Sequence, residues 1–403
     1  MRDANVIILS SVDWDFNRQN PQEVALGLAA AGHGVLFIEN TGVRGVQWRD
    51  VPRMWSRLRN WWRSRGGFRS GTAGAIDIHP PLLLTLPYSR TATAINRRML
   101  LRVIRRWLQR SARKGPLIVI TFLPTPLALE VIAALRPSLV VYYCIDQMAE
   151  SSPAARRVAA SESRLLAGAD LVLVTSRELF EMAKPLASRV ELLVSGVRCE
   201  EFAAERARAR QPHRLDVIPR PRIGFVGSLR GAIDLPLIAA MARLAPDLEF
   251  VLAGPLFIDT SVFAPLPNVH LLGPITHAEV VESMVRLDAG ILPYMLNPFT
   301  AAVMPVKLKE YLAAGLPIVA TLLPELVAFA ERHPGLISFA GDAESFVREL
   351  RAALAANTAG AEEHRMTIAR EYDWQLQIDS MIEAMDQTLS QSNANHDRIA
   401  LSR

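Results

Sequence analysis

Short apolar runs alternating with longer helical stretches constrain this chain more than any other feature. In the first half, residues 5–10, 35–39, 117–121, 139–144 and 171–175 are rich in Val, Ile and Leu. In the second half the same holds for residues 223–226, 249–253, 268–272, 289–293 and 317–320. Runs this short, bounded by turn residues and separated by stretches long enough for helices, read as βαβ units. A parallel neighbour is reached only through a crossover, and the crossover helices cover both faces of the sheet. The expected fold class is therefore α/β with doubly wound parallel sheets. The length of 403 residues, half of them hydrophobic, supplies two sizeable cores.

The two cysteines, Cys144 and Cys199, lie far apart with no metal-type spacing, which disfavours a disulfide framework or a zinc site and makes a reducing compartment the expectation. The first residues run directly into Val6-Ile7-Ile8-Leu9 without a basic segment or cleavage site, so they read as a strand and not a leader. No apolar run approaches the ~18 residues needed to cross a bilayer. The net charge of +5 conceals an asymmetry: residues 44–114 hold 17 Arg and Lys against 2 Asp and Glu, leaving 28 against 38 elsewhere.

Two segments carry that basic charge. In residues 48–65, Val51, Met54, Trp55, Leu58, Trp61 and Trp62 share one helical stripe opposite Arg49, Arg53, Arg57 and Arg63. This pattern suits a helix lying on an anionic membrane surface, with packing against the domain core as the alternative. In residues 97–110, Leu100, Val103, Ile104 and Trp107 oppose Arg98, Arg102, Arg105 and Arg106, and packing on the core is the preferred reading. Nucleic acid is not expected as a partner, because no recognised nucleic-acid motif accompanies the charge.

The chemistry concentrates in residues 297–321, NPFTAAVMPVKLKEYLAAGLPIVAT. Pro305 opens a helix and Gly315 closes it, since proline lacks the N–H that the first turn leaves unpaired and glycine accepts the left-handed turn after the last. Lys307 and Glu310, three apart, share a face toward the mouth of the sheet. A cation and a carboxylate at a helix N-terminus suit a phosphorylated nucleoside, the cation meeting phosphate and the carboxylate taking ribose hydroxyls. An exposed pair that merely supports the helix is the alternative. After the strand at 223–226, Gly227 and Ser228 allow backbone to approach phosphate, with Arg230 adding charge. No G-x-G-x-x-G is present, which disfavours a nicotinamide or flavin site. Pro293-Tyr294 and Asn297 lead into the helix, where either side chain can meet a sugar or diphosphate. Asp146 stands just past the strand at 139–144, in the position where such sheets place ligand-binding residues, or else as a turn or capping aspartate. Asp13-Trp14-Asp15 contains an Asp-x-Asp spacing but follows the first strand, and no metal is expected there.

The string P-x-K-L-x-E-Y-L-A-A-G-x-P-I-V-A-T, with AAGHGVLFIEN near the start and AGADLVLVTSREL at the end of the first half, resembles the GT-B glycosyltransferases (family 4-like, glycosyltransferase group 1). Features are also similar to the inverting xanthan glucuronosyltransferase type. The resemblance implies a GT-B fold with two Rossmann-like domains facing a cleft and a C-terminal helix crossing back to the first. It implies a nucleotide-sugar-dependent hexosyltransferase needing no cofactor or metal, acting on a glycan or lipid-linked polysaccharide precursor, cytoplasmic and peripheral at the membrane. Donor binding falls to Gly227, Ser228, Arg230, Gly254, Gly273, Ile275, Tyr294, Asn297, Pro305, Lys307 and Glu310. The role of base falls to Asp146, and Asp13 and Trp14 line the acceptor side. The retaining members carry two glutamates separated by seven residues; Glu310 matches the second, and Ala302 stands where the first would be. That departure speaks against the retaining assignment and keeps open a non-catalytic GT-B module; a nucleotide-sugar epimerase of the same fold is a separate alternative. The implied layout is an acceptor domain over 1–199, a linker over 200–221, a donor domain over 222–370, the crossing helix over 371–390 and a disordered polar tail over 391–403.

Overall fold

Strands buried on both faces carry the architecture. The computed structural model describes residues 3–15, 18–42, 67–70, 76–84, 86, 88–150, 155–208 and 213–401. It divides into one unit of Met1–Leu193 with Gln377–Arg403 and a second of Val194–Leu376. The first unit holds β1 (Asn5–Leu9), β2 (Gly34–Ile38), β3 (Arg69–Ser70), β4 (Ile76–His79), β5 (Leu117–Thr121), β6 (Leu139–Cys144), β7 (Leu171–Val174) and β8 (Val190–Leu192). They form one sheet in the order β3-β4-β2-β1-β5-β6-β7-β8, parallel except for the β3–β4 pair. The second holds β9 (Arg222–Val226), β10 (Glu249–Ala253), β11 (Val269–Gly273), β12 (Ala289–Leu292), β13 (Ile318–Ala320) and β14 (Ile337–Phe339). Their order, β11-β10-β9-β12-β13-β14, is parallel throughout. Every residue of β1, β2, β6 and β9 is buried, as continuous apolar strands in a two-sided sheet must be.

Chain order reverses between β1 and β5 in the first sheet and between β9 and β12 in the second. At such a switch point the loops leave in opposite directions and open a crevice at the carboxyl ends of the strands. The helices are pinned by local caps: Thr125 Oγ1 accepts from Ala128 N–H, and Thr276 with Glu279 forms a full capping box on His277–Met284.

Two segments differ from their reading in the sequence. Within the span read as a linker, 200–221, the helix Cys199–Arg208 and the turn Arg214–Val217 pack onto the second unit, burying Phe202, Leu215 and Ile218 in its core. These apolar residues are spaced among arginines and alanines, which masks their periodicity. Beyond residue 391 the chain continues the helix Trp374–Leu401 instead of leaving as a tail. Short strands β3, β4, β8 and β14 were not legible, because two to four residues are too few to show a period. The C-terminal helix from Gln377 onward belongs to the first unit, where Ile378 lies so close over Gly27 that an added Cβ would sit 2.4 Å from Ile378 Cγ1. Residues 48–65, read above as a membrane helix, lie outside the described residues.

The helix Val306–Ala313 is fastened to the switch point by Tyr311. Strands β9 and β12 pair only at Ile223–Ala289 and Gly224–Gly290. Where the ladder stops, the Tyr311 hydroxyl donates to Gly224 O (3.1 Å) and accepts from Val226 N–H (3.2 Å). Its ring lies on Gly290, where a Cβ would come within 2.5 Å of Tyr311 Cδ2. Burial pushes the phenol well above its ordinary range, so it stays a neutral donor. Removing the hydroxyl leaves a buried N–H and C=O unpaired, costing about 1–3 kcal/mol. Tyr311→Phe should lower the unfolding free energy of the second unit by that amount in urea titration; an unchanged midpoint would show that the hydroxyl is not the tie.

Lys309, on the same helix, is fully buried with no hydrogen-bond partner for Nζ, which lies 5.3 Å from the centre of the Tyr372 ring. Burial first, then the nearby Arg332 charge, push its pKa down from 10.5 to about 7, with Glu325 opposing. Between those values the unfolded chain binds a proton that the folded chain does not, so this group makes stability rise with pH from about 7 to 10.5 and holds its full penalty below 7. The slope approaches about 1.4 kcal/mol per pH unit. Lys309→Met should raise the urea midpoint at pH 7 and flatten its rise toward pH 9; equal slopes in the two proteins would refute the assignment.

Candidate functional site

In the second unit, the loops leaving β9, β10 and β11 are laced together. Gly227 N–H donates to Ala253 O (2.8 Å), and Gly254 N–H donates to Gly273 O (2.8 Å). Gly254 has φ 141° and a Cβ there would fall 2.1 Å from Gly227 O, so both the dihedral and the close approach demand glycine. The Lys307 side chain crosses Gly227, with Cε 3.3 Å from where a Cβ would stand. Lys307 Nζ then meets Glu310 Oε2 at 2.5 Å, both side chains remaining partly exposed at 22% and 15%. Pro305 precedes the first turn without a side-chain cap, and the first-turn N–H groups of a helix have no partner within it. Lys307, Glu310, Gly227 and Pro305 thus come together at the β9–β12 switch point, an arrangement able to hold phosphate on one side and hydroxyls on the other.

The remaining residues expected on the donor side divide. Gly254 and Gly273 shape the loops through their backbone, and Ser228 is half-buried beside them. The Gly227 N–H is already spent on Ala253 O, so Gly227 serves through its missing side chain and not as a phosphate donor. Ile275 is buried in the core, which leaves only its main chain for a ligand. Arg230 is exposed and stacks on Phe257, its Cζ 4.4 Å from the ring centre. Tyr294 packs half-buried against both apolar clusters of the unit. Asn297 caps the short helix Pro298–Ala301, its Oδ1 accepting from Thr300 N–H at 3.0 Å, so that oxygen is committed to the chain. Ala302 is 1% exposed and ends that short helix.

In the first unit, the loop after β1 carries Asp13 and Trp14 at the β1–β5 switch point. Glu39, at the end of β2, clips this loop: Oε1 accepts from Trp14 N–H (3.1 Å) and from Arg69 Nη2 (3.0 Å). Arg69 Nη1 reaches Asp15 at 3.0 Å. The Trp14 ring stands edge-on to Phe37, 4.9 Å between centres, and the Gln22 side chain donates to Asp13 O. Burial raises the Glu39 pKa, with the Asp13 charge adding to it and the Trp14 N–H and Arg69 opposing. Asp146 is exposed just past β6, and its carbonyl is 3.6 Å from Cys144 Sγ. Below it, Tyr142 donates to the buried Glu162 (2.6 Å) and Tyr143 to Leu193 O (2.9 Å), fixing β6. Among the described residues, no group of three or more His, Cys, Asp or Glu could hold a metal ion. Sequence reasoning missed Tyr311, Glu39 and Arg69. Glu39 was signalled only by ending the VLFIE run, and Arg69 by nothing at all.

Residues 220–356, which span the residues expected to bind a donor, match the family of glycosyl transferases group 1. Over 228 residues the chain is 31% identical to TuaH of Bacillus subtilis (strain 168), a protein assigned to teichuronic acid biosynthesis as a glycosyltransferase. That alignment covers 54% of this chain and 57% of TuaH. Among solved structures, sucrose-phosphate synthase from Thermosynechococcus elongatus superposes with a TM-score of 0.64 at 14% identity over 100% of both chains. Anabaena Alr3699/HepE in complex with UDP gives 0.64 at 14%, covering 96% of this chain and 100% of its own. The α,α-trehalose-6-phosphate synthase of Burkholderia multivorans gives 0.65 at 13%, covering 97% and 100%. The chain has the GT-B fold, and its second unit carries a glycosyl transferases group 1 domain.

Proposed function

We propose that the protein moves a sugar from a nucleotide-sugar donor to a hydroxyl of a glycan or lipid-linked polysaccharide precursor. The observation that carries this reading is the Lys307–Glu310 pair laid across Gly227 at the switch point of the second unit. Free of nucleotide, the two side chains neutralise each other. With nucleotide bound, Lys307 turns to the diphosphate and Glu310 accepts from ribose hydroxyls, so the leaving group gains its charge in front of a cation already in place. In the first unit Asp146 takes the proton of the acceptor hydroxyl as that oxygen bonds to the anomeric carbon and the bond to the diphosphate breaks. Ala302, where the retaining members carry a carboxylate, favours inversion by this single displacement. The similarity to TuaH supports a cell-surface polysaccharide as the acceptor class. Attachment to the cytoplasmic face of a membrane through residues 48–65 belongs to the same proposal.

Calorimetric titration with nucleoside diphosphates and nucleotide sugars, UDP first, tests the donor site. Lys307→Ala and Glu310→Ala should each weaken binding roughly 10- to 100-fold, the loss of a charge-assisted hydrogen bond worth about 1.5–3 kcal/mol. Equal affinity in all three proteins would end the assignment. Transfer to a polyprenyl-linked glycan should disappear in Asp146→Asn while nucleotide affinity is kept. Full transfer by that variant would remove Asp146 as the base. Absence of transfer by the wild type across the nucleotide-sugar panel, with nucleotide still bound, would favour the non-catalytic module that Ala302 keeps open.

A further inference from the structure

The helix Arg90–Arg110 contains seven arginines and no acidic residue. Of the inner face anticipated, Leu100, Ile104 and Trp107 are buried against the first sheet and Val103 is partly buried; Leu101 joins them, and Trp107 Nε1 donates to Asp77 at 2.8 Å. The outer face departs from a plain solvated surface. Ile95, Arg98, Met99, Arg102, Arg105 and Arg106 are all exposed and, at about 100° per residue, fall within one arc of roughly 120°. Arg97 is tied to Glu130 (3.4 Å), whereas Arg98, Arg102, Arg105 and Arg106 have no ion-pair partner among the described residues.

The apolar residues gather at one end. Ile95 and Met99 are 42% and 38% exposed on the first half of the helix. The segment entering the helix adds Leu84 and Leu86, 48% and 61% exposed. That segment is held on the helix: Asn96 accepts from Leu84 N–H and donates to Leu84 O, both at 2.9 Å, and Ser89 N–H donates to Leu86 O. Apolar side chains standing in water beside an unpaired cationic row are costly for a free surface. The same arrangement suits a bilayer, where the apolar end enters the acyl boundary and guanidinium groups meet phosphate.

We infer that the outer face of Arg90–Arg110, with Leu84 and Leu86, is a docking surface for an anionic lipid bilayer. The occupant follows from complementarity. A row of cations without acids needs an extended anion, and adjoining exposed aliphatics need an apolar phase at the same plane. A nucleic acid supplies the first and not the second. Two weak signals together give stable attachment where either alone is marginal. The surface stands on this face alone and would hold whether or not sugar transfer occurs.

The test is sedimentation of the full chain with vesicles of phosphatidylcholine alone or with about one-third phosphatidylglycerol. Each basic residue near an anionic surface raises partitioning roughly fivefold. The combined change Arg98→Glu, Arg102→Glu, Arg105→Glu and Arg106→Glu should therefore reduce binding to the anionic vesicles by far more than tenfold. Ile95→Ser with Met99→Ser should reduce it severalfold and leave its salt dependence in place. Raising the salt should release the wild type, as screening requires. Residues 48–65 are unaltered in both variants, so wild-type binding by both would overturn the inference, as would a wild type that ignores anionic vesicles. Tighter binding to duplex DNA than to those vesicles at equal salt would also overturn it. UDP titration and the circular dichroism melt, expected to be unchanged in the variants, separate a docking defect from a failure of the donor site or of folding.

Discussion

A single phenol holds the β9–β12 switch point of the second unit. Strands β9 and β12 must diverge for a crevice to open between them, and divergence strands backbone groups that the ladder would have paired. Tyr311 enters that gap from the helix above and satisfies one donor and one acceptor at once. The same side chain thereby fixes the rotation of its helix. With Tyr311 and Leu308 facing inward, Lys307 and Glu310 are turned to the crevice, and Gly290 and Gly227 are the small residues that make room below them. The opening and its occupants follow from one geometric requirement.

The first unit solves the matching problem by charge. Its crevice lies between β1 and β5, and the loop after β1 needs an anchor that does not fill the opening. Glu39 supplies it from the end of β2, accepting a main-chain N–H of the loop while Arg69 balances its charge and reaches on to Asp15. Burying a carboxylate is costly unless it is paired and hydrogen-bonded, and here one oxygen holds both partners while Oε2 is left without one. That imbalance sits beside the residues read as lining the acceptor side, which is where local rules of satisfaction are most often relaxed in favour of a ligand.

Buried lysine and exposed aliphatics break the same rules elsewhere in the molecule. Lys309 occupies a buried position with no hydrogen-bond partner for its Nζ, and the helix Arg90–Arg110 leaves apolar residues in water beside arginines without an ion-pair partner among the described residues. Neither is explained by the packing of its own unit. The helix finds its reason in the anionic surface proposed for it, whereas Lys309 has the Tyr372 ring at 5.3 Å and the opposite charge of Glu325 as partial compensation for its burial.

The sequence by itself determined the strands whose every residue is buried, the parallel pairing that their helical crossovers require, and the helix from Pro305 to Gly315 with Lys307 and Glu310 on one face. These are local properties, set by period, cap and turn chemistry within a few residues. The tertiary structure alone decided that Gly227 N–H is committed to a neighbouring loop, that Asn297 is a cap, that Ile275 faces the core, and that Phe202, Leu215 and Ile218 are buried in the second unit. It also brought Glu39 to Trp14 and Arg69, and Tyr311 to Gly224 and Val226, contacts between residues 25 to 87 positions apart. No period or motif encodes such meetings, because each depends on which strands become neighbours, and that order is fixed by the burial of the whole sheet.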